Sequence, residues 1–342
     1  MKKKNKAIYL LFLMPFVYFA TACFVVWLVK TSGIYPSGSD TMYHVYRGDY
    51  VYNAIKSGNW YPLYDPAWYN GVEILRYWSP LPAYVMAFCQ YLAGGSQFGA
   101  YLFYIGGVCF LGACVWPFIG RGFNRPYLGA FIGLLWFFMP NNLCAIFIEG
   151  NLARSLSMIF LPVFIYSVYK YLYNHKLRYI PLMVFTFLLM ELCHLGYAGM
   201  VAIAVIIYGI VYMIQKGRKK AVLDVVISMI FGFMVLGIWL VASLRGGITS
   251  LDNSENMANF FQNLWITINP FERLTRGFEY FYFGFAALVV IVFGILFGYK
   301  KSRTGFVTGF IILLMTTKSA YAVLKHLPGS QYLWMLRFIS IA

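Results

Sequence analysis

The chain has 342 residues, of which 61% are apolar and 11% are charged. Soluble globular domains carry about 25% charged residues, so this composition excludes an ordinary water-soluble domain and indicates lipid as the surrounding solvent. The formal net charge of +16 comes from short basic clusters between apolar segments. No basic stripe with a nucleic-acid-binding motif accompanies them, so we expect membrane lipid headgroups as their partners and no nucleic acid.

Apolar segments of membrane-spanning length recur along the chain. A helix needs about 20 mostly apolar residues to cross the hydrocarbon core. The sequence therefore predicts an all-α polytopic transmembrane bundle, a single domain over residues 1–342, with about nine spans. The predicted spans are residues 8–29, 98–119, 127–148, 153–173, 179–193, 196–214, 222–243, 278–299 and 305–323.

Three segments depart from a plain crossing. The first span resembles a signal peptide up to Cys23, but its apolar run continues and predicts a retained signal anchor; lipoprotein-type cleavage before Cys23 is the alternative. The third span is interrupted at Pro140, which predicts a bend. Residues 80–94 are apolar but short, as is typical of a re-entrant or interfacial helix.

The basic clusters predict the orientation. They occupy residues 2–6, 121–125, 176–178, 216–220 and 300–303. The positive-inside rule then places the N-terminus in the cytoplasm. Of the 11 acidic residues, only Asp224 falls on that side. Long loops are usually functional, so we expect the chemistry in the two long outer loops, residues 30–79 and 244–277, and above all in a structured first loop.

A polar helix face is predicted at the start of the first loop. Ser39 or Asp40 suits a helix cap, and Asp40, His44 and Arg47 then fall at i, i+4 and i+7 on one face. The carboxylate suits a general base or, with His44, a divalent-metal ligand. The arginine suits phosphate. A helix cap with a surface ion pair explains the same residues, and the sequence favours neither explanation.

The same loop is rich in aromatic side chains. Between Ile34 and Ser79 there are 12 Tyr or Trp residues, Trp60 and Trp78 among them. These two are candidate stacking surfaces for sugar rings. An aromatic belt at the membrane interface accounts for the same density.

Ionisable residues follow the interrupted third span. Glu149, Asn151 and Arg154 stand where the fourth span begins. The helix dipole favours Glu149 there, yet ionisable groups at membrane depth are costly and often mark function. We expect Glu149 and Arg154 to meet Asp40 if the first and fourth spans are neighbours.

Two further pairs of candidate residues lie nearer the C-terminal end. Glu191 and His194 are spaced to share a helix face. A di-metal centre needs two such motifs, so we expect a hydrogen-bonded pair in a polar cavity, with a single-metal contribution as the alternative. Gln331 and Arg337 are candidate outer-face ligands, although an interfacial arginine that reaches the headgroups is the simpler interpretation. The sequence carries no Walker, Rossmann, metalloprotease or hydrolase signature.

Short motifs along the whole chain carry a family resemblance. They are Gly38-Ser39-Asp40 with His44 and Arg47, Gly58 with Trp60 and Pro62, Gly71, Tyr77 with Pro80-Leu81-Pro82, Glu149-Gly150-Asn151 with Arg154, Leu161-Pro162, His194-Leu195, and Gln331 with Trp334, Arg337 and Phe338. Together they resemble bacterial GT-C-type membrane glycosyltransferases and, more narrowly, the membrane-protein family called 6-pyruvoyl-tetrahydropterin synthase-related. The chain shows no soluble pterin-enzyme domain, so this name implies no pterin chemistry. Such proteins normally continue through further spans, so the resemblance implies a truncated or divergent member.

The resemblance implies a GT-C-like fold and an inverting sugar transfer on the outer face of a bacterial plasma membrane. The donor would be a sugar on polyprenyl phosphate, and the acceptor an envelope glycan or glycolipid. Asp40 would deprotonate or orient the acceptor hydroxyl, with Mg²⁺ or Mn²⁺ as an optional metal, supported by His44 and Glu149. The substrate-binding candidates for the departing phosphate are Arg47, Arg76 and Arg154. The candidates for the other parts of the substrates are Asn151, Glu191, His194, Trp60 and Trp78.

Two other functions stay open on the residues alone. A transporter or flippase would contain inverted repeats and essential charges near the bilayer midplane, and the sequence shows neither clearly. A non-catalytic partner in envelope-polysaccharide assembly would tolerate the combined loss of Asp40, His44 and Glu149.

Overall fold

Helices make up nearly all of the regular structure. The computed structural model describes residues 2–36, 38–68, 70–245, 259, 261–269, 282–327 and 335–341. Within these ranges there is no β-strand, and two isolated bridges join Asp65 to Val72 and Gln262 to Thr317. The all-α prediction is confirmed for the described residues. Most of the predicted second outer loop, residues 244–277, lies outside them, as does Gln331.

The described helices follow one another closely. They are α1 (Lys2–Ser32), α2 (Thr41–Lys56), α3 (Ile74–Tyr77), α4 (Leu81–Leu92), α5 (Gln97–Gly122), α6 (Pro126–Trp136), α7 (Pro140–Leu143), a π-helical turn (Cys144–Ile148), α8 (Leu152–Asn174), α9 (Tyr179–Cys193), α10 (Leu195–Lys216), α11 (Lys219–Val235), α12 (Gly237–Arg245), α13 (Leu264–Ile268), α14 (Gly284–Met315), α15 (Lys318–Leu324) and a 3₁₀ helix (Met335–Ser340).

Four to six of these elements have the length and apolar composition of a membrane span. The four single helices are Phe12–Ser32 of α1, α5, α8 and α10, and the two bent pairs are Pro126–Trp136 with Pro140–Ile148 and Lys219–Val235 with Gly237–Ser243. The other predicted crossings coincide with shorter apolar helices, Tyr179–Cys193, Ala287–Lys300 and Ser302–Met315. The helical membrane architecture is thus confirmed, and the count of nine crossings stays a prediction.

The two bent spans have different causes. The first bends by 40° just before Pro140, as predicted, and the Asn142 amide donates to the Trp136 carbonyl at the break, 2.8 Å away. The second corresponds to the predicted span over residues 222–243, and it bends by 68° between α11 and α12, which the sequence did not predict. No proline forces this bend. The Trp239 indole N–H donates to the Leu75 carbonyl at 2.8 Å, which holds α12 against α3.

Helix α14 turns back on itself at Ser302, whose backbone is not helical. A Cβ at Gly294 would lie 3.1 Å from the Phe306 ring. A straight helix would separate these two positions by about 18 Å along its axis. The two predicted spans on either side of the 300–303 basic cluster therefore correspond to two helical segments, although the second ends at Met315 and not at residue 323.

A close backbone contact anchors α2 to the segment before α8. The Asp40 amide donates to the Glu149 carbonyl at 2.9 Å. Gly150 has a φ of +65°, and a Cβ there would lie 2.6 Å from the Thr41 backbone nitrogen. Only glycine satisfies both the left-handed conformation and this approach.

We expect Gly150→Ala to destabilise the protein more than Gly217→Ala. Both glycines have a positive φ, but a Cβ at Gly217 meets nothing within 4 Å. The control therefore reports the left-handed strain alone, roughly 1–2 kcal/mol, and Gly150→Ala adds the collision with α2. Thermal unfolding midpoints in detergent measure both. Equal midpoints would mean that the contact between α2 and Gly150 is not tight.

Candidate functional site

A cavity of about 350 Å³ lies among α2, the start of α8, the junction of α9 and α10, and α12. Six of the predicted site residues line it: Asp40, His44, Arg47, Trp78, Asn151 and His194. Arg337, Ser79 and Trp239 also line it. Residues far apart in the sequence thus form one polar cavity.

The helix face predicted for α2 is confirmed. Asp40 occupies the N-cap position, but its side chain makes no capping hydrogen bond. Instead, its carboxylate accepts from the Ser39 hydroxyl at 3.3 Å and lines the cavity with His44 and Arg47. The helix-cap explanation of Asp40 therefore fails, because the carboxylate stays available to the cavity.

Aromatic rings hold the Arg47 guanidinium. Its central carbon lies 4.1 Å from the centre of the Trp78 ring and 5.3 Å from that of Trp68. The two indoles are parallel, with centres 5.7 Å apart, and the Tyr43 ring also stacks parallel to Trp68. Cation–π contacts of this kind fix the position of the guanidinium at the cavity wall.

Glu149 lies behind the cavity, in a cluster of charged side chains. One of its carboxylate oxygens lies 3.1 Å from an Arg154 guanidinium nitrogen, and the other lies 3.5 Å from Arg337 Nε. Arg154 is fully buried and Glu149 nearly so. Glu149 and Asp40 meet through their backbones, where the Asp40 amide donates to the Glu149 carbonyl; the expected meeting of Arg154 with Asp40 stays a prediction. Arg337 was interpreted as an interfacial arginine, and this is wrong, because it is mostly buried and lines the cavity.

His194 presents a donor to the cavity. Its Nδ1 accepts the Tyr197 amide at 3.0 Å, so the neutral ring carries its proton on Nε2. Burial first, and then Arg337 and Arg154, lower the pKa of His194 to about 3, which keeps the ring neutral. Asn151 caps α8 by accepting the Arg154 amide at 3.0 Å, and its nitrogen lies 3.4 Å from His194 Nε2.

Five predicted site residues do not line the cavity: Glu149 and Arg154 lie behind it, and Glu191, Arg76 and Trp60 lie elsewhere. Glu191 and His194 do not pair, because α9 ends at Cys193 and the His194 backbone is extended; the Glu191 carboxylate is buried with no hydrogen-bond partner among the described residues. Arg76 pairs with Glu73 and donates to the Ala242 carbonyl. Trp60 is 72% exposed.

The cavity combines a carboxylate with cations and neutral imidazoles. Burial raises the pKa of Asp40 above its usual range, whereas Arg337 lowers it and Glu149 raises it further. Burial, helped by Arg47 and His194, holds the pKa of His44 well below its usual range. At neutral pH, Arg47 and Arg337 therefore face Asp40 beside uncharged His44 and His194. Such a site can accept a proton at the carboxylate and bind an anion at the arginines.

The residues do not fit a resident metal site. Over the described ranges, no group of three or more His, Cys, Asp or Glu side chains is arranged to hold a metal ion. Asp40, His44 and His194 share the cavity wall without converging, and the same wall carries Arg47 and Arg337, whose charges oppose a divalent cation.

Comparison with known proteins assigns the family. The profile described as "6-pyruvoyl-tetrahydropterin synthase related domain; membrane protein" matches residues 75–342. The chain belongs to this family. The family match includes Glu149, Arg154 and Arg337, whereas Asp40 precedes it. No curated protein matches the chain significantly, and no solved structure does so.

We expect Glu149→Gln to destabilise this family member by about 3–5 kcal/mol, because it leaves the buried charge of Arg154 without its carboxylate. Glu73→Gln is the matched control. It breaks a partly exposed ion pair with Arg76 and should cost roughly 0–1 kcal/mol. Equilibrium unfolding in mixed micelles measures both. A cost for Glu149→Gln as small as that of the control would show that the cluster does not support the site.

Proposed function

We propose that the chain is an integral membrane glycosyltransferase of GT-C type. It would transfer a sugar from polyprenyl phosphate to an envelope glycan or glycolipid on the outer face of a bacterial plasma membrane, with the N-terminus in the cytoplasm. The observation that supports this proposal is the shared cavity of Asp40, Arg47 and Arg337. One half-buried carboxylate beside two arginines, next to apolar spans, matches a hydroxyl nucleophile and a lipid-phosphate leaving group.

In the proposed reaction, Asp40 accepts the proton of the acceptor hydroxyl while its oxygen attacks the anomeric carbon. The bond from that carbon to the phosphate oxygen breaks with inversion, and polyprenyl phosphate leaves with the bonding electrons. Arg47 and Arg337 stabilise the charge that develops on the phosphate. His44 and His194, both neutral, position the sugar through hydrogen bonds. Glu149 acts indirectly, as a positioning residue for Arg337 and for the N-terminal end of α2.

Trp78 has a second role in this proposal. It holds Arg47 through its ring face and also lines the cavity, so it can pack against the apolar face of a sugar. Arg154 contributes from behind the cavity through Glu149. Arg76, Glu191 and Trp60 have no direct role, because their side chains lie elsewhere.

We expect Asp40→Asn to lower the transfer rate by about 10²–10⁴-fold, the usual contribution of a general base. Asp49→Asn is the matched control. Asp49 lies on the same helix and accepts from the Gln90 amide at 2.6 Å, outside the cavity. Purified protein in proteoliposomes is assayed with a panel of radiolabelled polyprenyl-phosphate hexoses and pentoses, by the release of polyprenyl phosphate. Equal rates for Asp40→Asn and the unchanged protein would refute catalysis by Asp40 and favour a non-catalytic role.

The pH profile provides a separate test. The base form of Asp40 is lost as pH falls through its pKa, and burial raises that pKa. The acid limb of the transfer rate should therefore lie at higher pH than for an ordinary aspartate. Because Arg337 lowers the pKa of Asp40, Arg337→Gln should move the limb to still higher pH. Arg76→Gln, outside the cavity, should leave it in place. A limb that Arg337→Gln does not move would exclude Asp40 as the titrating group.

A further inference from the structure

Two cavities meet beside Tyr173, at the end of α8 remote from Asp40. One is apolar, has a volume of about 330 Å³ and lies among α8, α10 and α14. The other has a volume of about 300 Å³ and is lined by Lys216, Lys300 and Arg303. Tyr173 lines both cavities. The two cavities therefore adjoin, and we treat them as the apolar part and the charged part of one candidate site.

Hydrogen bonds fix the junction of the two parts. The Thr304 hydroxyl donates to the Gln215 side-chain oxygen at 2.8 Å and lies 3.2 Å from the Tyr173 hydroxyl. Since Thr304 uses its proton on Gln215, it accepts from Tyr173. This chain of bonds links α8, α10 and α14 at the point where the cavities meet, so their relative position is preformed.

The charged part carries cations alone. Lys216 ends α10, and Lys300 and Arg303 flank the break in α14 at Ser302. No acidic side chain is among the described residues that line this cavity. Three cations without a counter-carboxylate favour an anionic ligand.

The apolar part has room for a chain of methylene groups. Val168, Val205 and Ile312 face it from three helices. Gly305 lines it too, and a Cβ at this glycine would meet nothing within 4 Å. A free phosphate would leave the apolar space unfilled, and an uncharged hydrocarbon would make no ionic contact with the three cations. A ligand with both an anionic group and an apolar chain matches both parts.

We propose that this site binds an anionic glycerophospholipid. Lys216, Lys300 and Arg303 hold the phosphate, and one acyl chain enters the apolar part. Helix α8 has 23 residues and is about 35 Å long, close to the thickness of a bilayer. The lipid therefore belongs to the leaflet opposite the Asp40 cavity, and its binding does not depend on the proposed transferase function.

The charged part is tested with delipidated full-length protein in detergent, titrated with short-chain phosphatidylglycerol and followed by native mass spectrometry. Each cation near an anionic lipid contributes about a fivefold factor in affinity. The triple variant Lys216→Gln, Lys300→Gln, Arg303→Gln should therefore lose on the order of 100-fold. The triple variant Lys176→Gln, Lys219→Gln, Lys220→Gln removes as much charge from nearby surface and should bind almost as the unchanged protein does. Equal losses would overturn the proposal in favour of general surface attraction.

The apolar part is tested with Gly305→Leu, which fills the space without a collision at Cβ. Gly298→Leu is its control, since Gly298 lies in the same helix, away from the cavity, with nothing within 4 Å of a Cβ. We expect loss of phosphatidylglycerol binding for Gly305→Leu alone, with thermal midpoints in lipid-free detergent matched between the two. Phosphatidylcholine or glycerol 3-phosphate binding as tightly as phosphatidylglycerol would overturn the proposal, as would full binding by Gly305→Leu.

Discussion

The candidate site depends on one buried carboxylate between two arginines. Arg154 is fully buried, and a guanidinium at that depth is tolerable only with a hydrogen-bonded counter-charge. Glu149 supplies it, and its second oxygen faces Arg337. Its backbone carbonyl accepts from the Asp40 amide. A single residue thus ties α8, the 3₁₀ helix and α2 together, and their joint placement creates the cavity.

The same arrangement explains why Asp40 is not an ordinary helix cap. Its backbone amide is already engaged by Glu149, and the Gly150 turn approaches Thr41 closely. The carboxylate is left to the cavity wall, where burial raises its pKa and Arg337 opposes that rise. Arg47, held by cation–π contacts with Trp68 and Trp78, adds a second cation at a set position. Local backbone geometry therefore determines the electrostatics of the site.

Sequence patterns predicted what depends on neighbours within one helix. The spacing of Asp40, His44 and Arg47 was sufficient because α2 is a single uninterrupted helix. The same reasoning failed for Glu191 and His194, because the helix ends between them at Cys193. At this helix end, Ser79 donates to the Glu191 carbonyl and accepts from the Leu195 amide. Residue spacing does not predict a helix end that is stabilised by such a distant residue.

Long-range contacts explain the remaining differences. Arg337 pairs with Glu149, far back in the chain, and only its place in the motif with Trp334 that carries the family resemblance indicated a role. Trp239 reaches the cavity because α12 bends onto α3. This bend contains no proline, and Gly232 and Gly237 beside it do not by themselves predict its position. The four to six candidate spans coincide with predicted crossings, since apolar length is a local property. Which helix ends lie beside one another depends on packing between distant segments.

The two ends of α8 differ in a way that fits different tasks. Beside Asn151, the arginines of the proposed transferase site lie near carboxylates and neutral imidazoles. The carboxylates weaken the attraction of the arginines for phosphate. A site that must release a lipid phosphate after each turnover needs that moderation, because cations alone would hold the product. Beside Tyr173, Lys216, Lys300 and Arg303 have no such counterpart in their cavity lining. Uncompensated cations next to an apolar space suit a lipid that stays bound, so the two proposed sites differ in charge balance as their proposed ligands require.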